Sequence, residues 1–147
     1  MLFRSVSQSR YQTWSNEKTL DDKQLANDVA DWVKKFNTQV VAYSARTSGA
    51  VAARLKPAGI YTEPVDGIDY AQACDMMLSA VASKRLLHTN QPELTRQVLS
   101  AVRLPQGDGG WIMGRKVSNA TIAAAVATAM VSSYATRSQS EIDIFVQ

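Results

Sequence analysis

Two acids three residues apart, Asp66 and Asp69, are the first candidates for chemistry in this chain. Hydrolysis through Mg²⁺ or Mn²⁺ needs several converging carboxylates, because a pair of hard divalent ions has to be held by fixed negative charge. The same two residues have a simpler reading, in which Asp66 with Gly67 makes a turn and Asp69 caps the helix that follows. Asp108 sits among Gly107, Gly109 and Gly110 and reads as a turn residue. His88, the one histidine, is a candidate for phosphate or metal and equally a polar residue at the end of an extended piece. A different chemistry is suggested by Trp111, Arg115 and Lys116, joined by Arg46: an indole able to stack on a base and cations able to contact phosphates. For Trp111 the competing role is core packing.

The rest of the chain has to position these residues. At 147 residues with 46% hydrophobic content it fits one globular domain with its own core. The expected extent is residues 1–136, with 137–147 as a carboxy-terminal tail. A single cysteine, Cys74, excludes an internal disulfide, and one histidine leaves no Cys/His cluster of zinc-site spacing. The start "MLFRSVSQSRYQTW" lacks a leader pattern, and no apolar run approaches the ~18 residues of a membrane span. These features point to a cytoplasmic protein without a membrane partner. The net charge of +3 is compatible with nucleic acid but does not single it out.

Periodicity gives the order of elements. Residues 3–14 alternate loosely and read as a strand or short hairpin. From Thr19, helical spacing places Leu25, Val29, Trp32, Val33 and Phe36 on one face, with Asp21 and Asp22 near the start and Lys34 and Lys35 near the end. "TQVVAY" (38–43) reads as a buried strand, and "RTSGAVAARLKPAG" as a helix stopped by Pro57 and Gly59. "GIYTEPV" supplies another strand. A helix then carries Tyr70, Cys74, Met77 and Val81 at helical spacing, which makes Cys74 a core residue. "RLLH" (85–88) is a short extended piece, and Leu94, Val98, Leu99 and Val102 predict a helix after Pro92. A glycine turn leads into "WIMGR" as a strand and then a helix of small residues, "TIAAAVATAMV". Alternating strands and helices imply an α/β layer fold with a mixed sheet.

Residues 69–131, "DYAQACDMMLSAVASKRLLHTNQPELTRQVLSAVRLPQGDGGWIMGRKVSNATIAAAVATAMV", resemble the carboxy-terminal nuclease domain of the large terminase subunit of tailed bacteriophages, especially forms from phages and prophages of actinobacteria. The resemblance lies in the order and spacing of small motifs: "LLH", "QPEL", "GDGGW", an "R-K-x-S" approach and an alanine-rich helix. It extends more weakly back to about Trp14 through "VADWVKKFNTQVVAYSARTSGAVAARL". It implies a ribonuclease H-like fold, a mixed sheet flanked by helices, that cuts DNA with two metal ions held by carboxylates. Small side chains on the last helix are then expected to let it lie close to the sheet, or simply to reflect alanine's helix propensity.

The acid positions of that family are filled differently here. Its last helix opens "S-x-x-D-I-x-x-x-V-A", whereas Ser118, Asn119, Ala120, Thr121, Ile122, Val126 and Ala127 stand here, so Thr121 takes the metal-binding position. The acid expected at the end of "VVAYSA" is replaced by Tyr43 or Ser44. A first strand bearing a further aspartate has no counterpart, which reads as an amino-terminal truncation. No "GxxxxGK[ST]" phosphate loop occurs, so the ATPase half of a large terminase is not in this sequence.

The leading expectation is therefore a catalytically degenerate terminase nuclease-like domain of a phage or prophage, acting in DNA packaging in the cytoplasm of a bacterial host. It needs no cofactor and has no catalytic residues. Its partners are double-stranded DNA, held weakly and without sequence preference through Arg46, Arg115, Lys116 and Trp111, a terminase ATPase or other packaging proteins, and a second copy paired through residues 2–14. One alternative is an active endonuclease with Mg²⁺ or Mn²⁺, its missing acids supplied by Asp66, Asp69 or another chain. Another is a non-enzymatic interaction protein that retains the fold.

Overall fold

The computed structural model describes residues 21–144, the side chains through residue 136. The strand or hairpin expected over residues 3–14 lies outside the described residues. The chain divides after Asp66 into two compact units.

The first unit begins with α1 (Asp22–Phe36). Asp21 caps it, its carboxylate accepting from the Lys23 and Gln24 amides at 2.8 and 3.4 Å. Asn37 ends it in the left-handed region at φ 49°. β1 (Val41–Tyr43) follows, then α2 (Ala45–Leu55), a 3-10 turn at Lys56–Ala58 containing Pro57, and Gly59 at φ 75°. The positive φ at the stop is one that glycine adopts at no steric expense. β2 (Thr62–Pro64) returns parallel to β1, with Val41 opposite Thr62 and Tyr43 opposite Pro64. α2 is therefore the crossover that a parallel pair requires. Ala26, Val51 and Leu55 form the core, with Leu25, Val29, Ala30, Val41 and Ile60 packed around it. The expected α1 stripe holds at its amino-terminal end and fails at its other end: Phe36 is 41% exposed and tilts against the Trp32 ring at 5.1 Å.

The second unit contains α3 (Gly67–Ala82), α4 (Pro92–Ser100), β3 (Val102–Gln106), β4 (Gly110–Gly114) and α5 (Ala123–Ile144). Asp69 lies inside α3, in its first turn. α3 buries Tyr70, Ala73, Cys74, Met77 and Ala80 and leaves Val81 exposed, so the core face is rotated from the one the periodicity indicated. "RLLH" is an irregular connection between α3 and α4. Val102 starts a strand instead of ending a helix: the chain turns extended at Ala101, ψ 127°, and Leu99 is exposed. β3 and β4 form an antiparallel hairpin in which Arg103 faces Met113 and Pro105 faces Trp111. Gly107 and Gly109, at φ 59° and 89°, make its turn. At the open end the Ser118 hydroxyl accepts from the Val102 amide at 3.1 Å and donates to the Gly114 carbonyl at 2.7 Å.

The small residues of α5 meet helices. α5 packs on α3 and α4, and Ala125 and Ala129 are fully buried where α3 contributes Ala73 and Cys74 to the core. Short side chains on both helices allow close approach of the backbones, as ridge-and-groove packing requires. Two hydroxyls buried along α5 turn back on its own backbone: Thr128 donates to the Ala124 carbonyl and Ser133 to that of Met130.

Candidate nucleic-acid interface

The residues at the family's acid positions belong to both units. Tyr43 ends β1 half-buried, and its carbonyl accepts from the Val65 amide at 2.8 Å. Ser44 is 6% exposed at the amino terminus of α2. Its hydroxyl donates to Asp66 Oδ1 at 2.8 Å, and Asp66 Oδ2 accepts from the Ala45 amide at 2.6 Å. Asp66, just past the carboxyl end of β2, thus closes the start of α2 across the parallel pair, where helix amides without an internal partner attract negative charge. Thr121 is exposed, two residues ahead of α5.

The start of α5 is closed by a side chain that sequence reasoning missed. Gln97 of α4, 2% exposed, accepts from the Ala124 amide through Oε1 at 2.7 Å and donates through Nε2 to Glu93 Oε1 at 2.6 Å. Arg96 grips the same carboxylate at 2.7 Å. Hydrogen bonds from Arg96 and then Gln97 hold the Glu93 carboxyl below its ordinary range. Tyr43, Ser44 and Thr121 each offer a neutral hydroxyl, whereas hard divalent ions favour charged oxygen ligands. Among the described residues no three His, Cys, Asp or Glu side chains converge on one point.

The expected cations are all at the surface. Arg46 lies in the first turn of α2, in the first unit. Arg115 and Lys116 follow β4 in the second. The Arg115 guanidinium carbon lies 6.0 Å over the Tyr70 ring, and the Tyr70 hydroxyl donates to the Met113 carbonyl at 3.2 Å. Burial pushes the ionisation of Tyr70 well above the usual tyrosine range, so this phenol stays a donor. Trp111 is half-buried and engaged twice: its indole N–H donates to Asp75 Oδ1 at 3.3 Å, and the Arg103 guanidinium lies 4.4 Å over its ring. Arg103 and Asp75 were not singled out from the sequence, and Tyr70 only as part of a helix face. The signal for Arg103 was available, since reading "QGDGG" as a hairpin turn brings it to the register of Met113 and Trp111. His88 is exposed and accepts through Nδ1 from the Asn90 amide at 3.1 Å, a local turn contact.

No protein-family model matches this sequence, and no curated protein matches it. The structure is similar to the crystal structure of the HK97 bacteriophage large terminase, with a TM-score of 0.65 and 18% sequence identity over 78% of this chain. The fold is terminase-like. It has the expected α/β, ribonuclease H-like class, with small parallel and antiparallel sheets flanked by helices. The chain spans 25% of the length of that terminase. Among the described residues no helix is long and apolar enough to cross a membrane.

Proposed function

We propose that this chain is a phage or prophage terminase nuclease-like domain that holds duplex DNA in the host cytoplasm without cutting it. The observation that carries this reading is the state of Asp66: a carboxylate stands at the carboxyl ends of the parallel strands, but it is bonded to Ser44 and Ala45 at the start of α2. With Tyr43, Ser44 and Thr121 at the other acid positions, little fixed negative charge is left to hold two divalent ions. The exposed cations Arg46, Arg115 and Lys116 favour an anionic polymer, through phosphate contacts that carry no sequence information. A terminase ATPase or another packaging protein would then supply the catalytic and motor functions.

The test has two arms. Supercoiled plasmid incubated for hours with the protein and Mg²⁺ or Mn²⁺ is expected to stay intact. Cleavage abolished by chelator and by Asp66→Ala or Asp69→Ala would establish the endonuclease instead. Duplex binding is expected to be weak, indifferent to sequence and steeply reduced by salt. An Arg46→Ala/Arg115→Ala/Lys116→Ala variant that binds as well as the parent would remove these residues from the interface.

A further inference from the structure

The β3–β4 hairpin carries a cation that the reading above does not use. Residues directly opposed in an antiparallel pair share a face, so Arg103 lies on the side of Met113 and, by strand alternation, of Trp111. Arg103 is exposed, with its guanidinium 4.4 Å over the Trp111 ring. Trp111 is itself fixed from α3, because its N–H edge donates to Asp75. Arg115 lies over the ring of Tyr70, the one aromatic residue of α3, two positions along the chain from the Met113 that Arg103 faces. From Val102 to Lys116 the chain has three cations, Arg103, Arg115 and Lys116, against one acid, Asp108.

A guanidinium resting on an aromatic face keeps N–H donors around its rim while its long side chain is restrained, so less conformational freedom is lost when an anion binds. The ring face beneath it is covered, and a base would have to displace the arginine to stack there. We propose that Arg103 is a phosphate-contacting residue of the DNA-binding face and that Trp111 is its platform, a positioning residue, not a base-stacking one. This rests on the DNA-binding reading above and assigns the ligand chemistry at the hairpin: the phosphodiester backbone of duplex DNA.

The experiment is anisotropy of a labelled 30-base-pair duplex, titrated with protein between 50 and 200 mM salt. Each phosphate contact contributes about 0.9 to the slope of log affinity against log salt. Across this fourfold range Arg103→Ala should therefore lose about 3.5-fold less affinity than the parent, while binding more weakly at 50 mM. Arg103→Lys should keep most of the slope. Trp111→Leu should weaken binding only while Arg103 is present, so that the double variant binds like Arg103→Ala. Trp111→Met, which keeps apolar bulk without a ring, provides the same comparison if the leucine variant does not fold. A parent that binds duplex with an unchanged slope in Arg103→Ala overturns this inference alone. A Trp111 effect that persists without Arg103 overturns the platform role in favour of stacking. A parent that does not bind duplex at 50 mM overturns the DNA-binding reading and this one with it.

Discussion

Replacing Asp66 by alanine separates the structural use of this carboxylate from a catalytic one. The substitution removes the acceptor of the Ala45 amide at 2.6 Å and of the Ser44 hydroxyl at 2.8 Å. It leaves a serine that is 6% exposed without this partner. Losing a helix-terminal cap costs about 0.5–2 kcal/mol. Losing a negative charge at a helix amino terminus costs about 0.3–1 kcal/mol more. The two overlap, because the same contacts enter both, so the expected loss is about 2 kcal/mol. For a chain of this size that corresponds to a Tm lowered by roughly 4–8 °C. Asp66→Asn keeps an oxygen acceptor and loses the charge, and should fall about midway. Thermal unfolding followed by circular dichroism, with and without Mg²⁺, is the assay. An alanine variant within about 0.5 kcal/mol of the parent would refute the capping role, since that is the range of surface substitutions without a structural function. A Tm that rises with Mg²⁺ in the parent and not in the variant would mark Asp66 as a metal ligand.

Gln97→Met, similar in size but without polar ends, removes the bond from the buried Ala124 amide and should destabilise by about 1–3 kcal/mol in urea unfolding. Ala129→Leu introduces bulk at a fully buried position of α5, and overpacking there should cost about 1–3 kcal/mol, measured the same way. Glu93 has a lowered pKa in the folded chain, so its contribution to stability is present above its ordinary value of 4.5 and is lost as pH falls through the lowered one. An NMR titration should place its midpoint below 4.5 and move it upward in Arg96→Ala.

The elements that could be read from the sequence were those whose local signals agree with their packing. Asp21 and Asp22 ahead of an apolar stripe gave α1, and Pro57 with Gly59 gave the end of α2. Pro92 gave the start of α4. β3 was missed because Leu94, Val98, Leu99 and Val102 satisfy a helical period, although Leu99 and Val102 turn out to lie outside the buried core. What ends the helix at Ser100 is tertiary: Val102 is tied to Ser118, sixteen residues away, and paired with Gly114. Arg46, Arg115 and Lys116 were legible as cations, whereas the partners that position side chains were not. The reach from Gln97 to α5, from Asp66 to α2 and from Trp111 to Asp75 each spans more than twenty residues, beyond any helical or strand period. The small residues of α5 did signal a close neighbour, but periodicity could not tell a helix from a sheet on the other side.

The burial of Cys74 gives the chain a built-in chemical clock. Its thiol sits on the core face of α3 with 1% exposure, and burial raises its pKa, so in the closed state it is both shielded and protonated. The thiolate, not the thiol, is the nucleophile that attacks thiol reagents. With no other cysteine in the sequence, every labelling event has to wait for the packing of α3 to open. The modification rate therefore counts openings of that one core, whatever the rest of the chain is doing, and turns its local stability into a quantity that can be timed on the native protein.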